Sequence, residues 1–128
     1  MTNEEVDALE SGRELDALIH DVVMAGWTTH LTPEETIIAI EHDMIPYYST
    51  NISDAWRVVE VFRRGWSNHA AATINLAVTE DDIDGEDCYC DMGSPDLRDH
   101  HGTGKQMPEA ICKCALKIAN HVQNIPPQ

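Results

Sequence analysis

The chain has 128 residues, 42% of them hydrophobic, with 23 acidic side chains against 8 basic ones and a formal net charge of −15. This length suits one domain with a single core, so residues 1–128 are read as one unit. The charge argues against binding nucleic acid backbones or anionic membranes, and no apolar run reaches the ~20 residues that span a bilayer.

The acidic start, "MTNEEVDALESGRELD", lacks the basic and apolar regions of a signal peptide, and the expectation is a soluble intracellular protein. "SGRE" at Ser11–Glu14 has the form of a capping box, and Leu15, Leu18, Ile19, Val22 and Val23 follow at helical spacing. A helix over 12–25 is predicted, ended by Gly26. "TPEE" at Thr32–Glu35 is a second start signal, with Pro33 at the first helical position, and predicts a short helix to about Glu41. Thr50 or Asn51 then caps a third helix, on which Ile52, Ala55, Trp56, Val59 and Phe62 share a face. Arg63 and Arg64 stand in its last turn, where cations favour the carbonyl end of the dipole, and Gly65 closes it.

From Ala72 the period changes to two. Ala72, Ile74, Leu76 and Val78 alternate with Thr73, Asn75, Ala77 and Thr79, which predicts a half-buried strand. A charged turn, "EDDIDGED", leads to "CYCDM" as the returning strand of a hairpin. Residues 93–106, rich in Gly, Pro, Asp and His, read as a loop. Pro108 opens a final helix lined by Ile111, Ala115, Ile118, Ala119 and Val122, and the tail "NIPPQ" is expected to fray. The fold class expected is α+β, a small antiparallel hairpin sheet packed with about four helices.

The two Cys-x-Cys pairs invite a metal reading, and geometry argues against it. On a helix, Cys112 and Cys114 stand about 200° apart and cannot grip one ion. On a strand, Cys88 and Cys90 share a face with Met92 while Asp87, Tyr89 and Asp91 take the other, which looks like core against solvent. Zinc spacing of the Cys-x2-Cys kind is missing, as are a phosphate loop, a nucleophile elbow and a calcium loop. No metal site, cofactor or catalytic residue is expected.

Three segments in order, "GRELDALIHDVVMAGW" at 12–27, "PYYSTNISDAWRVVEVFR" at 46–63 and "PEAICKCALKIA" at 108–119, resemble the phage ABA sandwich domain, a family of small phage-encoded proteins. The resemblance implies helices packed on a small antiparallel sheet, a place in the host cytoplasm, and no catalytic motif to carry over. The helix within Thr28–Met44 and the long His-rich stretch at 93–105 depart from the family look. Differences of that kind sit on loops, where specificity usually lives.

A non-catalytic phage protein is then expected to work by binding. The first reading is counter-defence, the sequestration of a small nucleotide-like immune signal, in a homo-oligomer. Its cations and aromatics would come from Tyr47, Tyr48, Arg57, Arg63, Arg64, Trp66, His100, His101 and Lys105. The alternative is an acidic interaction module or DNA mimic that uses residues 80–99 to bind a basic host protein. A third reading, a metal-dependent hydrolase on His100, His101 and nearby aspartates, is the weakest.

Overall fold

The structure is a computed structural model describing residues 2–24, 32–42, 44–64, 73–78, 88–93 and 100–123. Gly26 and Gly65 as helix ends, Trp66, the 80–87 turn and the 124–128 tail lie outside the described residues.

A first helix, α1 (Asn3–Asp7), is capped by Thr2, whose hydroxyl accepts from the Glu5 N–H at 3.1 Å. Five residues are too few for a hydrophobic period to register, so no helix is predicted here from sequence. The second helix, α2 (Arg13–Leu18), runs directly into a π-helical turn, Ile19–Val23. Its N-terminus corrects the expected Ser11 capping box. Gly12 is the N-cap, at φ 151°, and no side chain caps the helix locally. Ser49 does related work from a distance: its hydroxyl accepts from Gly12 N–H at 2.9 Å and lies 3.1 Å from Gly12 O, to which it donates.

The third helix, α3 (Pro33–Glu41), starts as its sequence says. Thr32 and Glu35 form a reciprocal capping box, with bonds of 3.2 and 3.4 Å. The fourth, α4 (Ile52–Arg64), is capped by Asn51, whose side chain accepts from Ser53 N–H at 2.9 Å and Asp54 N–H at 3.2 Å. That settles the choice between Thr50 and Asn51. Its buried stripe is Ala55, Val58, Val59, Val61 and Phe62. Ile52 and Trp56, expected to face inward, are 51% and 46% exposed. Val58 and Val61 compete for the same face, and burying them turns Trp56 outward.

The sheet has three antiparallel strands among the described residues, β1 (Thr73–Val78), β2 (Cys88–Gly93) and β3 (His100–Gly104), in the order β1-β2-β3. The register sets Leu76 opposite Cys90, and Cys90 opposite Gly102. The hairpin pairing of β1 and β2 is as expected, and Cys88, Cys90 and Met92 are buried as the inward face. The strand β3 is a correction, since 93–106 was read as one loop. Its inward positions, opposite Cys88, Cys90 and Met92, are Gly104, Gly102 and His100. Glycine carries no apolar signal, so no period of two could be seen.

The fifth helix, α5 (Met107–Gln123), organises the molecule. It packs on β3 and β2, and also against α4, the π-helical turn and α1. Every residue from Ala110 to Ala119 is buried, including Lys113 and Lys117. A helix covered all round is a central element. The two lysines remain compatible with burial by reaching α1 with their heads. Lys113 Nζ lies 3.1 Å from Asp7 O and 3.2 Å from Glu109 Oε1, and Lys117 Nζ lies 2.7 Å from Asp7 Oδ1. These contacts dock α1 on α5. The result is the α+β class expected, and among the described residues α1 and β3 join the elements predicted from sequence.

Candidate functional site

The outward turn of α4 builds a groove of about 260 Å³ lined by Met24, Trp56, Arg57, Glu60, Val61 and Arg64. Trp56, Glu60 and Arg64 are four residues apart in succession and so stack along one helix face. The π-helical turn ends at Met24, whose N–H bonds Ile19 O at 3.0 Å, and this brings a thioether to the far wall. Arg63, just outside the lining, grips Glu60 with two bonds of 3.1 and 2.8 Å, and Arg64 Nε lies 3.6 Å from the same carboxylate. The hydrogen bond from Arg63 holds the Glu60 carboxyl below its usual range, so it stays ionised and its charge is engaged. Arg57 makes no hydrogen bond or ion pair among the described residues. The groove therefore offers an indole face, a thioether and available guanidinium charge.

The residues named from sequence do not gather into one site. Arg57 and Arg64 line the groove, and Arg63 flanks it. Tyr47 stands elsewhere, beneath the Arg13 guanidinium at 4.0 Å from its ring centre. Tyr48 is a correction: it is 1% exposed and belongs to the core, out of reach of a surface ligand. His100 and His101, placed in a loop by sequence, lie on opposite faces of β3. His100 is 5.0 Å from the His121 ring of α5, and His101 stacks on Tyr89 at 5.6 Å. Lys105 sits in the turn before α5, its backbone N–H donating to Glu109 at 3.3 Å. Sequence reasoning missed Trp56, Met24 and Glu60. The spacing of Trp56, Glu60 and Arg64 was the signal available.

A second polar assembly is structural. Asp16, fully buried, accepts from Ser49 N–H at 2.7 Å and from Arg13 Nη1 at 2.8 Å. Arg13 Nη2 donates to Ile45 O at 2.6 Å. The "GRELD" and "PYYST" segments are thus tied to each other, and they hold the chain that enters α4.

The thiols are core. Cys90, Cys112 and Cys114 are fully buried and Cys88 is 8% exposed, all of them free. Cys114 Sγ donates to His100 O at 3.2 Å and Cys88 Sγ to Lys105 O at 3.8 Å. No group of three or more His, Cys, Asp or Glu among the described residues converges as metal ligands. Burial pushes the Cys112 thiol up, and the Cys90 thiol beside Cys114, with burial, pushes that one up too. Tyr48 is raised from 10.0 to about 12, chiefly by burial, with Arg57 opposing.

A sign follows for alkaline pH. The unfolded chain would ionise these groups near 9.0 and 10.0, whereas the folded chain keeps them neutral further up. Their stabilising contribution is complete below those values and is lost as pH rises beyond them. The urea midpoint should fall steadily between pH 9 and 11, and native Cys112 and Cys114 should react with a thiol reagent at pH 8 at least ~100-fold more slowly than in urea. A flat midpoint over that range would contradict this placement.

The family profile of the phage ABA sandwich domain matches residues 17–116. The chain belongs to the phage ABA sandwich domain family. The matched span runs from α2 into α5 and so includes the groove and the whole sheet. A phage protein from Bacillus cereus ATCC 14579, known from a 2.0 Å crystal structure, is similar in fold, with a TM-score of 0.59 and 22% identity over 94% of each chain. No curated protein matches. Within this phage ABA sandwich domain, no described helix is long and apolar enough to cross a membrane.

Proposed function

We propose that this phage ABA sandwich protein is a non-catalytic accessory protein that sequesters a small, anionic, nucleotide-like ligand, as a counter-defence against a host immune signal. The groove on α4 carries the reading. A 46% exposed indole beside Arg57 and Arg64 meets both needs of such a ligand, a stacking surface for the base and planar donors for phosphate. The net charge of −15 bears on selectivity. A long polyanion meets the field of the whole surface, whereas a compact ligand of few charges meets mainly the local guanidinium groups.

The test is calorimetric titration and thermal shift with cyclic nucleotides, cyclic dinucleotides and ADP-ribose derivatives. Binding of at least one at one ligand per groove is expected, with quenching of tryptophan fluorescence. Trp56→Ala and the pair Arg57→Glu, Arg64→Glu should each weaken it at least ~10-fold, since a stacked or charge-assisted contact is worth about 1–3 kcal/mol. Absence of heat and of thermal shift across the panel would remove the proposal. So would binding that both variants retain.

A further inference from the structure

We propose that β1 is the contact strand of a homodimer, pairing antiparallel with β1 of a second copy across a two-fold axis to join two three-stranded sheets. The first observation is topological. With the order β1-β2-β3, β1 is an edge among the described residues, and alternate residues of it turn their N–H and C=O groups away from β2. Such a row is a template for another strand.

The second observation is burial. By register Ile74, Leu76 and Val78 share the face of Met92, Cys90 and Cys88. On β2 that face is covered, the three residues being at most 8% exposed. On β1 the same face overhangs the helix layer: Ile74 is half-buried, Leu76 is 36% exposed and Val78 is 71% exposed. The helix α5 lies over β2 and β3, and while Ile74 still packs against the core, Leu76 and Val78 are left uncovered.

Charge selects the occupant. The chain is 24% charged, yet Gly65–Thr79 contains no Asp, Glu, Lys or Arg, and no other stretch is uncharged for so long. Edge strands of monomeric proteins are commonly guarded by an inward lysine, a proline or a bulge, and Thr73–Val78 carries no lysine or proline. A basic host partner would gain nothing from an uncharged strand on an acidic protein. A second copy would, because two surfaces of net charge −15 can meet closely only where neither is charged. Two-fold antiparallel pairing is self-complementary, and it sets Thr, Ile, Asn, Leu, Ala and Val only against one another. The overhanging Leu76 and Val78 of both copies then lie side by side on one face of a six-stranded sheet.

The test uses the full chain in sedimentation velocity between about 1 and 200 μM. Two-chain mass is expected at the upper concentrations, together with slowing of amide exchange over Thr73–Val78 as concentration rises. Val78→Lys and Leu76→Lys should each shift the dimer midpoint at least ~30-fold toward monomer, with the circular dichroism spectrum unchanged. Ile37→Lys, on the exposed face of α3, should leave the dimer intact. One-chain mass for the wild type at 200 μM overturns the proposal, as does a folded Val78→Lys that keeps the two-chain mass. Should both lysine variants fail to fold, exchange over Thr73–Val78 that is independent of wild-type concentration overturns it instead.

Discussion

Replacing Gly102 by alanine is expected to destabilise the protein by about 3 kcal/mol and to lower Tm by about 10 °C. A methyl group at Gly102 would overlap Ala110 O and Cys114 N, and would press on Lys113 Cβ. Two of those three atoms are backbone of α5 and cannot step aside, so strand and helix must separate. The conformation of Gly102 is not in the left-handed region, which makes this a cost of space alone. Gly104→Ala is the matched control. Its methyl would press first on Cγ, Cβ and Cδ of Glu109. Cγ and Cδ can turn aside, Cβ is fixed to α5, and no backbone N or O is among these nearest atoms, so the cost should be smaller, about 1–2 kcal/mol. Equal losses in the two variants, read from urea midpoints, would mean that α5 does not rest on β3 as described. The placement matters for the whole fold, because α5 touches both the sheet and the other helices.

Asp16→Ala is expected to lose about 3–5 kcal/mol, a large share of the roughly 5–15 kcal/mol that an ordinary domain has. The carboxylate is fully buried, and its removal strands the Ser49 N–H and one arm of Arg13. Arg13 would keep its bonds to Ile45 O and Pro46 O, but its charge would be partly buried without a counter-charge. Asp16→Asn retains an acceptor for Ser49 and should cost less, about 1–3 kcal/mol. A double-mutant cycle with Arg13→Ala separates the ion pair from the Ser49 bond, and a coupling below about 0.5 kcal/mol would deny the pair any role. Because this cluster holds the chain that enters α4, loss of Asp16 should also broaden Trp56 fluorescence in any variant that still folds.

The helices show how much was legible in advance. The capping box at Thr32 and Glu35 uses atoms three residues apart, and it is present as read. The inward set Cys88, Cys90 and Met92 follows from the pleat of a strand, and it too is present. Ser11 failed as a cap because a residue 38 positions later, Ser49, took the bonds at Gly12. Trp56 was misplaced because Ala55, Val59 and Phe62 fit two stripes equally well, and the packing of Val58 and Val61 broke the tie. Of the groove residues, Arg57 and Arg64 were named but matched with other aromatic residues, since spacing along α4 does not say which side faces water.

The sequence by itself determined the elements whose causes are local: helix starts, the two-residue alternation, the acidic surface and the family resemblance. It also settled that Cys112 and Cys114 leave a helix in different directions. Tertiary structure decided that Cys114, on the face carrying Lys117 and His121, is buried as fully as Cys112, because α5 is covered on every side from Ala110 to Ala119. It alone made a strand of His100–Gly104, whose glycines are there to let a helix approach. It alone placed Tyr48 in the core and Trp56 at the surface. The physical reason is common to all of these. Burial depends on which element arrives from far along the chain, and a periodicity records only that a face is apolar.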